Sequence, residues 1–139
     1  MNNKLNCPEC GVEIDEHDAG RCLDAWVAEK IMDDNPHWLG DGIEVNILSI
    51  GESGDEVLHY STNIAAAWQV VEKMRDSGLC PTVYWDDGDD IPDCTGWQVC
   101  MAHYGNTEDE FRLYDGWAST APLAICRAAI KAVSNAATN

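Results

Sequence analysis

Residues 60–81, YSTNIAAAWQVVEKMRDSGLCP, spell out both ends of a helix. Ile64, Ala67, Trp68, Val71 and Met74 recur at helical spacing, while Gln69, Glu72, Lys73 and Asp76 fall on the opposite side. The stop is equally legible. Gly78 suits the left-handed position after a last turn, Leu79 can fold back over it, and Pro81 blocks continuation. A helix from about Asn63 to Ser77 with one apolar stripe must bury that stripe against a second layer. The remainder of the chain has to supply that layer.

Two further helices are predicted. Between Asp18 and Asp34, Leu23, Trp26, Val27 and Ile31 share one face, and Asn35-Pro36 ends the run because a residue before proline avoids the α region. Ser119-Thr120-Ala121-Pro122 opens the last helix, where proline is tolerated since first-turn amides lack internal partners. Its core stripe is Leu123, Cys126, Ile130 and Val133, with Arg127 and Lys131 as a narrow polar ridge. Strands are expected at Ile43–Ile47, Val57–Tyr60, Thr82–Trp85, Trp97–Ala102 and Glu110–Tyr114, with Asp115-Gly116 as a turn before Trp117. The hairpin-like loops favour antiparallel pairing. The expectation is an α+β chain in which three helices pack around a mostly antiparallel sheet of about five strands, an α-β-α sandwich. Residues 1–17 form a separate N-terminal segment with a Cys-x2-Cys pair, and residues 18–139 form a single domain.

Composition excludes several roles. With 25 acidic against 8 basic residues the net charge is −17, so DNA and anionic membranes are repelled. No apolar run of about 18 residues is present to span a bilayer. The opening MNNKLNCPECG has no basic stretch followed by an apolar one, so no secretory signal is expected and a cytoplasmic location is. Seven cysteines without a secretory signal favour reduced thiols or a metal site over disulfides.

The metal candidates are Cys7, Cys10, His17 and Cys22, spaced C-x2-C-x6-H-x4-C. Thiolates and a neutral imidazole suit four-coordinate Zn²⁺, and a structural ion ordering the N-terminus fits better than a catalytic one, which keeps a water position. The competing readings are a metal-free, mobile tail, a metal shared between subunits and, for Cys22, a core residue of the first helix. Cys80, Cys94, Cys100 and Cys126 read as small buried hydrophobes. The acidic loop Asp86–Asp90 lacks the calcium-loop spacing, and no phosphate-binding glycine motif occurs. No nucleophile pattern surrounds His37, His59 or His103, so an enzyme is not expected. Two helix entrances remain as ligand candidates: Tyr60-Ser61-Thr62, and Ser119-Thr120 with Trp117 beside it. Free amides and the positive end of the dipole suit phosphate, and the flanking aromatics suit a stacked ring. Ordinary capping uses the same hydroxyls.

The segments GRCLDAWVAEKIM (20–32), YSTNIAAAWQVVEKM (60–74) and STAPLAICRAAIKAV (119–133), with CPECG ahead of them, resemble the phage ABA-sandwich domain proteins. Cys22 departs from the acidic residue expected there, and residues 33–55 and 86–109 diverge. The resemblance implies a phage origin, a layered fold and action in the cytoplasm of an infected bacterium. It brings no settled activity. Among small phage proteins without catalytic motifs are sponges that sequester host immune signals. The expectation is therefore a non-enzymatic protein binding a nucleotide-derived signal of the cyclic ADP-ribose or cyclic-nucleotide kind. Tyr60, Ser61, Thr62, Trp117, Ser119, Thr120 and Arg127 would hold it, Zn²⁺ would be structural, and the chain would form a homo-oligomer. The alternatives are an acidic protein-interaction module that inhibits a host protein and a zinc-stabilised structural accessory protein.

Overall fold

A computed structural model of the chain describes residues 6–7, 10–32, 36–38, 48–50, 55–56, 58–87, 96–105 and 110–137. A 3-10 turn (Ile14–Glu16) precedes α1 (Arg21–Lys30), and three short strands follow: β1 (Pro36–Trp38), β2 (Leu48–Ile50) and β3 (Asp55–Glu56). Next come α2 (Ile64–Asp76), β4 (Cys80–Asp86), β5 (Gly96–His103), β6 (Arg112–Ala118) and α3 (Ala121–Ala137). The class is α+β with antiparallel pairing, as expected, but the strands do not form one sheet of about five. They fall into two three-stranded sheets, ordered β1-β2-β3 and β4-β5-β6. The strand expected at Ile43–Ile47 lies outside the described residues. Of the one expected at Val57–Tyr60, Val57 lies outside them, Leu58 and His59 are irregular, and Tyr60 begins a turn.

The larger sheet carries the core. In register, Val99 of β5 sits between Val83 and Gly116, and Met101 sits between Pro81 and Tyr114. Val99 and Met101 are fully buried on the face that α2 and α3 cover. The alternate residues Tyr84, Gln98 and Trp117 line up across the other face, where Tyr84 and Trp117 are exposed. Among the described residues no helix covers that side, and α1 packs on α3 rather than on this sheet.

β6 runs through the Asp115-Gly116 pair instead of turning there. Glycine is required at position 116 by approach: a Cβ would overlap the Ala124 carbonyl and crowd the Ala128 backbone of α3. α3 is accordingly buried from Ala121 through Ile130, Arg127 included. The Arg127 expected on a polar ridge is an interior residue, while Lys131 stays half-buried.

α2 is also rotated from the expected stripe. Ala66, Ala67, Val70, Val71 and Met74 are buried, whereas Ile64 and Trp68 are about half exposed. The small residues mark the seam with the alanine-rich α3, since the distance between two helix axes depends on the side chains between them. On α1 the expected stripe holds, with Leu23, Trp26, Val27 and Ile31 all buried. Cys7 and Ile14 of the N-terminal segment join the same core cluster.

The entrance to α2 is capped by Asn63, whose side chain accepts from the Ala66 amide at 3.1 Å. Ser61 has a different task. Its backbone N–H and its hydroxyl both donate to the fully buried Asp24 carboxylate of α1, at 2.8 and 2.7 Å, and Oγ accepts from the Gly20 amide at 2.9 Å. A buried carboxylate is tolerated because these donors replace water.

Two stability measurements check these contacts. Gly116→Ala should cost about 1–3 kcal/mol in denaturant unfolding, the usual range for overpacking. Ser61→Ala should cost about 1.5–3 kcal/mol, because it strips a charge-assisted hydrogen bond from a buried carboxylate. A change within about 0.5 kcal/mol, typical of neutral surface substitutions, would contradict either account.

Candidate functional site

The N-terminal cysteines and His17 converge on one point. The chain turns back between Cys7 and Val12, where the Cys7 amide donates to the Val12 carbonyl at 2.9 Å and the Gly11 amide donates to the Cys7 carbonyl at 2.9 Å. Gly11 takes a left-handed φ of 78°, and an Asn6–Glu13 bridge closes the loop. His17 follows the 3-10 turn, and Cys22 is the second residue of α1. The four ligand atoms lie within 4.8 Å of one another. Sγ of Cys7 is 3.4 Å from Sγ of Cys22, and Sγ of Cys10 is 3.3 Å from Nε2 of His17.

These separations fit a metal. Metal–sulfur and metal–nitrogen bonds of about 2.3 and 2.0 Å in a tetrahedron give edges of roughly 3.4–3.8 Å. Nδ1 of His17 donates to the Asp18 carbonyl at 2.8 Å, which leaves Nε2 as the ligating nitrogen. Cys7 and His17 are buried, Cys22 is half-buried and Cys10 is exposed. Burial and the neighbouring Cys7 and Cys10 sulfurs push the Cys22 thiol well up, whereas a backbone hydrogen bond at Val12 holds Cys10 below the ordinary thiol range. Three thiolates in one place repel one another, and a divalent cation among them removes that cost. The set can hold a metal ion, and four protein ligands fill a tetrahedron without leaving a position for water. The departure at Cys22 thereby becomes the fourth corner of the site.

The residues expected to bind a ligand are divided between the interior and the surface. Tyr60 and Ser61 are buried, and Ser61 is committed to Asp24. Thr62 is exposed at the turn before α2, where its amide donates to the His59 carbonyl at 3.3 Å. Ser119 and Thr120 are exposed at the start of α3, and the Thr120 carbonyl accepts from Ala124 at 3.1 Å. Trp117 is exposed on the sheet face away from the helices. Arg127 is buried, donating to the carbonyls of Trp117 and His17 at 2.7 Å each. Tyr60, Ser61 and Arg127 are therefore interior residues, with the polar atoms of Ser61 turned to the buried Asp24 carboxylate and those of Arg127 to backbone carbonyls. Of the expected set, Thr62, Ser119 and Thr120 are hydroxyl residues exposed near helix entrances.

A different concavity lies at the opposite end of α2. A cavity of about 510 Å³ opens between the last turn of α2, the second half of α3 and the ends of β5 and β6. Met74, Leu79, Ala132 and Val133 give it apolar walls, and Tyr114 contributes a half-buried ring. His103, Glu110 and Arg112 bring polar groups to it. Ser77 also lines it, with its hydroxyl donating to the Lys73 carbonyl. Sequence reasoning missed this site. The period-two alternation that puts Arg112 and Tyr114 on one face was available, but the register that brings them under α2 and α3 was not.

Comparison with known proteins agrees with this fold. The phage ABA sandwich domain model matches residues 25–130. A phage protein from Bacillus cereus ATCC 14579, known from a crystal structure at 2.0 Å, is similar at 25% identity and a TM-score of 0.55, over 83% of this chain and 92% of that one. No curated protein matches. With its two-helix cover, antiparallel sheet and matching span, the chain belongs to the phage ABA-sandwich domain family.

Proposed function

We propose that this phage-family protein binds and sequesters a nucleotide-derived host immune signal without converting it. The observation that carries the reading is the cavity of about 510 Å³ bordered by Arg112, His103, Glu110 and Tyr114. Its size falls within the range of roughly 300–1,000 Å³ typical of small-molecule sites. Arg112, whose Nη1 donates to the Phe111 carbonyl at 2.8 Å, brings a guanidinium of the kind that suits a phosphate, the Tyr114 ring offers a surface for a base, and the Glu110 carboxylate suits a ribose or amino donor. Binding by such groups needs no nucleophile, which agrees with a sponge. The site proposed here replaces the one expected at the helix entrances. It would act in the cytoplasm of the infected bacterium, and no described helix is long and apolar enough to cross a membrane.

Calorimetry with cyclic ADP-ribose-type and cyclic-oligonucleotide signals tests this. Saturable binding is expected, with the ligand recovered intact. Arg112→Ala should weaken binding about 10–100-fold, as loss of a charge-assisted contact of about 1.5–3 kcal/mol implies, with the melting temperature preserved. Absence of binding to both classes, or turnover of the ligand, would overturn the reading.

The second reading, a protein-interaction module directed at a host protein or at another copy of the chain, is favoured by Ile64 and Trp68. They stand exposed one turn apart on α2 of an acidic protein. Under it, Trp68→Ala would abolish a stoichiometric complex and leave small-ligand binding untouched.

In either case the ion of the N-terminal centre is Zn²⁺ and its role is structural. The three-thiolate, one-imidazole donor set favours zinc over oxygen-seeking cations. Metal analysis should give about one zinc per chain, falling below half in Cys22→Ser. Chelation should lower the melting temperature of the native chain. Metal affinity should fall as pH falls, because protons compete for the same thiolates. A zinc-free chain with an unchanged melting curve in chelator would refute this assignment.

A further inference from the structure

Arg127 is a buried cation held by neutral partners. It is 7% exposed; Nη2 donates to the His17 carbonyl, Nη1 donates to the Trp117 carbonyl, and the buried Nε has no hydrogen-bond partner among the described residues. Among the described residues no carboxylate forms an ion pair with it. Burial works against its charge, and the carboxylates of Asp15 and Asp18 work in favour. A guanidinium does not lose its proton in a protein, so the charge must be balanced in place.

The residue whose carbonyl it holds is a ligand of the metal centre. A divalent ion with three thiolates and one neutral imidazole carries one net negative charge. We propose that Arg127 is the internal counter-charge and positioning residue of the Cys7/Cys10/His17/Cys22 centre, so that metal occupancy and the packing of α3 against the end of β6 stabilise each other. One arm of the guanidinium fixes the main chain of His17, and the other fixes the end of β6 at Trp117, just before α3. Lys131 runs alongside, pairing with Asp15 of the 3-10 turn and donating to the Asp115 carbonyl at 2.7 Å. Lys131 is half-buried and keeps access to solvent. Arg127 is the member of the pair that needs the anionic centre.

The inference rests on the metal reading of the cluster, and chelator competition on the full chain separates the two. If the native chain binds no zinc, both fail. If it binds zinc, Arg127→Met should weaken zinc affinity about 10–100-fold, the usual effect of removing an outer-shell partner. In the metal-free chain the same substitution also removes the donors to the His17 and Trp117 carbonyls but relieves an unbalanced charge, so it should lower the melting temperature less than it does in the zinc-loaded chain. Cys10→His keeps four ligands and makes the loaded centre neutral. In that background the Arg127→Met loss should shrink to less than about threefold, since the charge term is gone. Equal zinc affinity in the native and Arg127→Met chains, or an undiminished loss in the Cys10→His background, overturns the proposal. Should Arg127→Met fail to fold, Arg127→Lys and Arg127→Gln carry the comparison. The charged variant should hold zinc within a few-fold of native and the neutral one should not, the difference being the charge alone; equal affinities would overturn it.

Discussion

The approach of α3 to β6 at Gly116 sets the geometry of the whole larger unit. With no Cβ at that position, the Ala124 carbonyl and the Ala128 backbone come down onto the strand. The helix then lies too deep for a polar face, and every residue of its first ten is buried. A helix that deep meets α2 through small side chains, which turns Ile64 and Trp68 outward and draws Ala66, Ala67 and Val70 in. It also forces any charge on its inner face to find partners inside the protein, and Arg127 is that charge.

Those partners lead to the N-terminal segment. Arg127 and Lys131 between them hold Asp15 and the His17 carbonyl on one side and the Asp115 and Trp117 carbonyls on the other. Cys7 and Ile14 add apolar contact to the same core. The Cys-x2-Cys loop is thus fastened to the main body at several points. A metal ion held there would act on the rest of the fold through the helix that contributes most to the core. The Asp24–Ser61 contact does for α1 and α2 what Arg127 does for the metal loop and α3: a buried charge joins two segments distant in sequence, and its desolvation is offset by directed hydrogen bonds.

Local signals were legible where local physics decides. The end of α2 at Gly78, with the Leu79 amide donating back to the Met74 carbonyl, follows from the need to satisfy the last turn, and it reads directly from Gly-Leu-x-Pro. The stripe of α1 and the four metal candidates were readable for the same reason, since spacing alone constrains them. What spacing cannot carry is depth. Ile64 and Trp68 sit at stripe positions by period, and only the proximity of α3 tells them apart from Ala66 and Val70. Asp115-Gly116 has the composition of a turn, yet here the glycine answers to a helix crossing above it. Ser61 looks like a cap, and its real acceptor is an aspartate 37 positions earlier. Ser61 and Arg127 were misread together, because each answers to a partner far along the chain.

The same distinction decides where a ligand can sit. A helix entrance attracts phosphate only if its amides and hydroxyls are not already spent, and at α2 they are: Asn63 takes the cap and Ser61 takes Asp24. The cavity lies instead where α2 ends and where α3 approaches its own end, on the carbonyl side of the helix dipoles, which repels an anion. The final carbonyls of α2 are partly quenched, since Lys73, Met74 and Arg75 each accept a hydrogen bond from Ser77, Gly78 or Leu79. The residual dipole and the −17 net charge both work against a multiply charged phosphate. Arg112 is the guanidinium at this site and cannot neutralise several charges at once. Under the proposed reading the cavity would therefore favour a ligand whose phosphates are few, whose charge is partly masked by cyclisation, and whose ring area is large enough to profit from Tyr114, Leu79 and Val133. Linear polyphosphates such as nucleoside triphosphates should be discriminated against on electrostatic grounds alone, the more so as ionic strength falls and the screening of the surrounding acids is lost.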